Sequence, residues 1–281
     1  MKVISTEYSQ ILGARISQRL GVGLVDVKFS KFPDGELYLR AGALDEEMVI
    51  VGSVTGSDAL VQLLLLIDAC SESDNRLVIP YMGYARQDKQ FHPGEPLSAR
   101  AIAAAVANNV NSICTVNIHD EDVLRHFGLP TRNTSLGQEI SAYLMSQFSN
   151  PVILAPDDGA GYFAEQIAGP GNWEFDQLEK TRISGESVRM DKKDLRTAGR
   201  DVVIVDDIIS TGGTIAAAAG MLYEQGAKSV HAACVHGVFT GGAYTHLAAA
   251  GIKSVICSDT IERACSQVSA AGIVAKALSE C

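Results

Sequence analysis

Two adjacent carboxylates, Asp206 and Asp207, follow the apolar run Val202 to Val205 and precede the stretch Ser210-Thr211-Gly212-Gly213-Thr214. Glycines let a backbone curl until its N–H groups converge. The hydroxyls add donors, and a helix beginning near Ile215 adds the positive end of its dipole. Together these make a cradle for a phosphate dianion. Carboxylates repel phosphate, but they accept hydrogen bonds from sugar hydroxyls or hold a metal's waters. A phosphate cradle beside paired hydroxyl acceptors describes a pentose phosphate. The plain structural alternative, a capped helix after a buried strand, gives the acidic pair no purpose.

Further polar groups sit where other apolar runs end. His119 and Asp120 follow Ile113 to Val116, and Asp157-Asp158-Gly159-Ala160 follows Val152 to Leu154. In open parallel sheets ligands bind outside the carboxyl ends of the strands. One His with one or two Asp suits Mg²⁺ held beside phosphates, although a lone His more often packs or caps. The segment Tyr81-Met82-Gly83-Tyr84-Ala85-Arg86-Gln87-Asp88-Lys89 mixes aromatics with Arg, Gln and Lys. It is suited either to stacking a base and pairing with phosphate or to simple solvation. Lys31-Phe32-Pro33-Asp34-Gly35-Glu36 reads first as a turn, with Phe32 available as a base platform. Leu178 to Ile183 alternates as a strand does, which puts Lys180 and Arg182 on one face. On charge alone they are ordinary surface cations. Their polar, glycine-containing surroundings also suit a lid over transferred phosphates.

The elements that must position these groups follow a regular rhythm. Val49-Ile50-Val51 leads to Leu60–Ala69, Leu77-Val78-Ile79 to Ala99–Ala107, and Val202–Val205 to Ile215–Gln225. Uninterrupted Val/Ile runs alternating with helical stretches indicate buried parallel strands joined by crossover helices, an α/β fold. The pattern strand, Thr-Gly turn, helix occurs at Met48–Gly56 and again at Val202–Gly212. That repeat predicts two similar halves, 1–140 and 141–281, each a mainly parallel sheet flanked by helices.

The chain of 281 residues is 47% apolar, enough for two cores of ordinary size. Its 23 Lys and Arg against 33 Asp and Glu give a net charge of −10, which argues against a nucleic-acid footprint. No run of apolar residues predicts a membrane span, and the N-terminus has no signal-peptide core. The six cysteines show no C-x-x-C and read as thiols of a reducing, cytoplasmic compartment. Neither a Walker A loop nor a G-x-G-x-x-G at a helix start occurs.

Taken in order along the chain, these segments resemble the ribose-phosphate pyrophosphokinases, or phosphoribosyl pyrophosphate synthases, and in particular their short, archaeal-type forms. The family's F-x-D-G-E stands at Phe32 to Glu36, its Y-x-R-Q-D-K at Tyr84 to Lys89, and its N-[IL]-H at Asn117 to His119. Its P-D-x-G pyrophosphate loop stands at Pro156 to Gly159, its K-x-R at Lys180 to Arg182, and its ribose 5-phosphate loop at Asp206 to Thr214. The resemblance implies two phosphoribosyltransferase-like domains. It implies transfer of the pyrophosphoryl group of ATP to the 1-hydroxyl of ribose 5-phosphate, with Mg²⁺ as cofactor and AMP as second product.

By the same resemblance Phe32, Asp34, Glu36, Arg86, Gln87 and His119 serve ATP. The first three reach in from a neighbouring subunit of a homo-oligomer, a dimer or larger. Asp206, Asp207, Ser210, Thr211, Gly212, Gly213 and Thr214 bind ribose 5-phosphate. Asp157, Asp158, Gly159 and Ala160 form the pyrophosphate loop, His119 and Asp157 hold the metal, and Lys180 and Arg182 are catalytic. The chain departs from many members at Ser210, where Asp is common, at Ala160, where Gly is common, and at Gln90 and Phe91. Two alternatives share parts of the pattern: a phosphoribosyltransferase, which consumes phosphoribosyl pyrophosphate, and a non-catalytic regulatory homologue.

Overall fold

The protein is described by a computed structural model covering residues 1–178, 180–182, 188–190 and 196–280; for 180–182 and 188–190 the description is of the backbone. It forms two compact units.

In the first unit, β1 (Lys2–Ser5) leads through α1 (Gln10–Leu20) to the short β2 (Gly23–Leu24). A hairpin follows, β3 (Val27–Lys31) and β4 (Leu37–Ala41), paired antiparallel as a separate two-stranded sheet. The chain continues through β5 (Glu47–Val51), α2 (Ser57–Ala69), β6 (Asp74–Ile79), α3 (Ser98–Val106), β7 (Ser112–Val116) and β8 (Thr131–Thr134). The order β2-β1-β5-β6-β7-β8 makes a six-stranded sheet in which every pair is parallel. Val49, Ile50 and Val51 are fully buried, as a strand covered on both faces requires. Leu63, Leu66 and Ile67 of α2 pack into the same core as Ile50, Leu77 and Ile79.

The second unit contains α4 (Gly137–Gln147), β9 (Val152–Ala155), α5 (Gly161–Ala168), β10 (Phe175–Gln177), β11 (Lys180–Arg182) and β12 (Val188–Met190). Then come β13 (Asp201–Ile209), α6 (Gly213–Glu224), β14 (Ser229–Gly237), α7 (Ala243–Ala249), β15 (Ile252–Ser258) and β16 (Ser266–Val268). Its main sheet runs β10-β9-β13-β14-β15-β16, again parallel throughout. The repeat in the sequence is thus a repeat in topology, since β5 and β13 take the same third place in their sheets. On α6, Ile215, Ala218, Ala219 and Leu222 are buried at helical spacing over Val202, Ile204 and Val230.

The division of the chain differs from a single cut at residue 140. The first unit holds Met1–Ser135 and also Asp259–Glu262 and the segment from Ser269 onward. Within it α8 (Ala271–Ser279) packs on α1. Buried Asp259 accepts from the Ala270 N–H at 2.8 Å, and Glu262 accepts from the Leu12 N–H at 2.9 Å. Arg76 donates to the Leu278 carbonyl at 3.1 Å. These contacts join residues far apart in sequence, and no local signal announces them. Among the described residues no helix is long and apolar enough to cross a membrane.

Candidate active site

The acidic pair lies within β13 rather than beyond it. The strand continues to Ile209 because the nine-residue β14 offers a partner throughout: Asp206 stands opposite Cys234 and Ile209 opposite Gly237. The carboxylates also organise their own backbone. Asp206 Oδ1 accepts from the Asp207 N–H at 2.9 Å, and Asp207 Oδ1 from the Ile208 N–H at 2.7 Å.

Beyond Ile209 the chain turns sharply into α6. Gly212 precedes the helix with φ +73, and a Cβ there would stand 3.0 Å from Leu247 side-chain carbons. Only glycine fits both conditions. Gly212 at the N-cap has no side chain to accept from the first turn of α6, where the positive dipole end lies. Ser210 is fixed by Thr240, through Oγ to Oγ1 at 3.3 Å and Thr240 N–H to the Ser210 carbonyl at 3.1 Å.

The Asp157–Ala160 segment follows β9, which neighbours β13 in the sheet. Asp158 Oδ1 accepts from Gln177 Nε2 at 3.0 Å, and the Ala160 N–H donates to the Asp157 carbonyl at 3.2 Å. Ala160 has φ −92 and ψ 0, an ordinary conformation, so the backbone here does not demand glycine. Burial, then the charge of Asp207 and the bond with it, then the charge of Asp157, push the Asp206 carboxyl up to about 8. In the second unit the charges of Asp207 and, less strongly, Asp157 thus bear on Asp206 beside the Ser210–Thr214 turn. That is the environment a divalent cation relieves, and carboxylate oxygens are the donors Mg²⁺ prefers. Among the described residues no three His, Cys, Asp or Glu side chains are grouped to hold an ion unaided. One or two carboxylates completed by water and substrate phosphate are the ordinary Mg²⁺ arrangement, so the residues present fit such an ion.

In the first unit the Tyr84–Lys89 loop meets the end of β7. Asn117 takes φ +39, and its N–H donates to the Thr134 carbonyl at 2.8 Å; His119 beyond it is exposed. Burial raises the Asp88 carboxyl, but backbone donation, a bond with Asp120 and the Lys89 ammonium outweigh it and leave Asp88 below its ordinary range. Gln87 Oε1 accepts from Ser98 Oγ at 2.6 Å, while Arg86 is exposed. Phe32, Asp34 and Glu36 form the tip of the β3–β4 hairpin. Phe32 N–H donates to the Glu36 carbonyl at 2.8 Å, Gly35 supplies φ +97, and Asp34 accepts from the Glu36 N–H at 3.3 Å. Phe32 is 50% exposed, and its ring forms a T-shaped pair with Tyr38, the ring centroids 5.6 Å apart.

The backbone of Lys180 and Arg182 is indeed extended, with Lys180 opposite Met190 and Arg182 opposite Val188. Their side chains, like Glu179 and Ile183 of the expected strand, lie outside the described residues. Gln177, Thr240 and Arg263 were not singled out from sequence, yet they position Asp158, Ser210 and the Gly237–Val238 carbonyls. Thr240-Gly241-Gly242, a second small-residue loop at a strand end, was the available signal for Thr240.

Residues 1–109 match the N-terminal domain of ribose phosphate pyrophosphokinase, and residues 132–271 match the phosphoribosyl transferase domain. The chain belongs to the ribose-phosphate pyrophosphokinase family and is an enzyme of phosphoribosyl pyrophosphate synthesis. It is 45% identical to a ribose-phosphate pyrophosphokinase of Methanosarcina acetivorans, covering 99% of each chain. It is 40% identical to one from Methanopyrus kandleri, over 99% of this chain and 98% of that one. The crystal structure of phosphoribosylpyrophosphate synthetase from Mycobacterium smegmatis superposes with a TM-score of 0.83 at 25% identity, covering 99% of this chain and 97% of that one. A phosphoribosyltransferase alone leaves residues 1–109 without a counterpart.

Proposed function

We propose that the chain binds ribose 5-phosphate on Asp206–Thr214 and transfers to its 1-hydroxyl the pyrophosphoryl group of ATP, releasing AMP. The observation that carries the assignment is the junction of β13 and α6, where two adjacent carboxylates stand beside a helix start whose N-cap is a glycine in the left-handed region. Ser210, Thr211, Gly213 and Thr214 supply donors to the phosphate, and Asp206 and Asp207 accept from the ribose hydroxyls. Asp157 to Ala160 accommodate the transferred pyrophosphate. Arg86 and Gln87 take ATP, and the exposed Phe32, with Asp34 and Glu36, closes over the adenine of a neighbouring subunit in a homo-oligomer.

Mg²⁺ is the cofactor of this reading, and Asp157 would be its protein contact in the second unit, completed by water and substrate phosphate. When bound it supplies neutralising charge to the phosphates. The attack of O1 on the β-phosphorus builds negative charge on the oxygen leaving with AMP. Lys180 and Arg182 meet that charge, so their contribution grows in the transition state. Free thiols at all five described cysteines support a reducing, cytoplasmic setting. Incubation with ATP, ribose 5-phosphate and Mg²⁺, followed by product identification, tests the reaction. AMP and a sugar pyrophosphate are expected; quantitative ADP and a singly transferred phosphate would refute it.

A further inference from the structure

Of the five described cysteines, Cys70, Cys114, Cys234 and Cys257 are buried and Cys265 is partly exposed. Cys257 lies on β15, and Cys265 immediately precedes β16, which pairs with it in parallel. The Cys257 N–H donates to the Cys265 carbonyl at 3.1 Å, and the two Sγ atoms are 3.4 Å apart. A disulfide needs about 2 Å, so roughly 1.4 Å of approach would close one. Cys265 also borders a cavity of about 820 Å³ lined in addition by Tyr143, Phe148, His231, Arg263 and Gln267. A small reagent can therefore reach Cys265, while Cys257 sits fully buried behind it.

The two sulfurs differ in chemistry. A hydrogen bond from Cys257, against the effect of burial and helped by Arg263, brings the Cys265 thiol down to about 7. The same bond, with burial, holds the Cys257 thiol well above its ordinary range. An accessible sulfur ionised near neutral pH, touching a protonated partner, is suited to thiol–disulfide exchange.

We propose that Cys265 and Cys257 are an oxidisable dithiol that exchanges with low-molecular-weight disulfides and, on closing, disturbs the ribose-phosphate loop. The Cys265 thiolate attacks one sulfur of the reagent, whose S–S bond breaks to release one thiolate and leave a mixed disulfide. Cys257 gives its proton to that thiolate and attacks the Cys265 sulfur, and the second thiolate departs. The protein loses two electrons and the reagent disulfide becomes two thiols.

The link to the loop is a chain of hydrogen bonds within the second unit. Arg263, two residues before Cys265, donates through Nε to the Gly237 carbonyl at 3.0 Å and through Nη2 to the Val238 carbonyl at 2.8 Å. Its N–H donates to Ser266 Oγ at 3.0 Å. The next residues reach the loop, with Phe239 N–H on the Ile209 carbonyl and Thr240 N–H on the Ser210 carbonyl, both at 3.1 Å. Phe239 is itself held at φ +49, a conformation that depends on its surroundings. Drawing Cys265 onto Cys257 shifts the Arg263 clamp and, through it, the segment that fixes Ser210. This second step rests on the ribose 5-phosphate assignment made above.

The test uses the full-length chain with excess oxidised glutathione, followed by alkylation and peptide mass mapping. The Cys257 and Cys265 peptides should emerge joined, with no glutathione on either. Cys257→Ala should trap glutathione on Cys265, and Cys265→Ser should leave Cys257 unmodified. Recovery of both thiols free, or adducts confined to other cysteines, overturns the dithiol. The ribose 5-phosphate KM is then measured before oxidation, after it, and after dithiothreitol. A several-fold reversible rise is expected in the native chain and none in Cys265→Ser. A joined pair with unchanged KM overturns the coupling. Failure of the loop assignment is recognised separately, as Asp206→Ala and Asp207→Ala proteins that still bind ribose 5-phosphate normally.

Discussion

Replacing Gly212 with Ala isolates the demand that the proposed phosphate loop makes on its backbone. Gly212 sits at φ +73, and an L-residue forced into the left-handed region costs about 1–2 kcal/mol. The added Cβ also meets Leu247 carbons at 3.0 Å, and crowding a packed contact costs about 1–3 kcal/mol more. The sum is about 2–5 kcal/mol. If the loop keeps its shape, the strain appears as lost stability in urea unfolding. If the loop relaxes, the strain appears as weaker ribose 5-phosphate binding, tenfold for each ~1.4 kcal/mol. Both are measured, by denaturant titration of the free protein and by calorimetric titration with ribose 5-phosphate, and the two losses together should reach the sum. Gly213→Ala is the control for stability. A Cβ there meets nothing nearer than Thr211 Oγ1 at 3.9 Å, and its φ is not in the left-handed region, so unfolding should hardly change. A Gly212→Ala protein as stable as the native one and with unaltered ribose 5-phosphate affinity would refute the reasoning.

Three other outcomes are expected. Asp206, raised to about 8, keeps a proton that the unfolded chain releases near its ordinary 3.8. Its contribution to stability is therefore complete below about pH 4 and is lost as pH rises through about 8. Without divalent cations Asp206→Asn should flatten that dependence and exceed the native stability above pH 8, by at most ~6 kcal/mol at ~1.4 kcal/mol per pH unit; parallel urea-midpoint profiles for the two proteins would contradict this. Lys180→Ala and Arg182→Ala should each lower turnover by roughly a hundred- to a thousandfold, or about 2.7–4 kcal/mol, with small changes in KM. Near-normal turnover with a raised ATP KM would make them ground-state binders. Phe32→Ala should weaken ATP by about 1–3 kcal/mol, the range for a base stacked on an aromatic ring, with ribose 5-phosphate binding and melting temperature unchanged.

What could be read from the sequence was what depends on neighbours along the chain. Fully buried strands announce themselves as Val/Ile runs, so β5, β6, β7, β9 and β13 stood out together with the helices after β5, β6 and β13. The acidic pair and the glycine loop are contiguous, so their juxtaposition was legible too. The hairpin was not, beyond its Pro and Asp-Gly turn. Its strands are half-buried or exposed at every position and bear no apolar run. The end of β13 was set four residues short, because Asp206 and Asp207 look like a terminus until β14 is seen to pair beyond them. Equally hidden were the pressure of Asp157 on Asp206, the grip of Gln177 on Asp158, and the clamp of Arg263. Each arises from sheet order, which brings β9, β13, β14 and β15 side by side although long stretches of chain separate them.

The return of α8 to the first unit bears on how the protein is made. A ribosome delivers the chain from its N-terminus, and domains generally fold as they emerge. Here the face of α1 that α8 covers, and the Arg76 side chain that binds the Leu278 carbonyl, lack their partners until Ala271–Ser279 has been synthesised. The second unit is in effect an insertion whose strands are all synthesised before the first unit can close. Nascent chains stalled before Ser269 should therefore hold a second unit able to pack and a first unit still open along α1, susceptible there to proteolysis and to chaperone capture. Completion of the first unit follows synthesis of the second, which ties the integrity of its sheet to the presence of an intact α8.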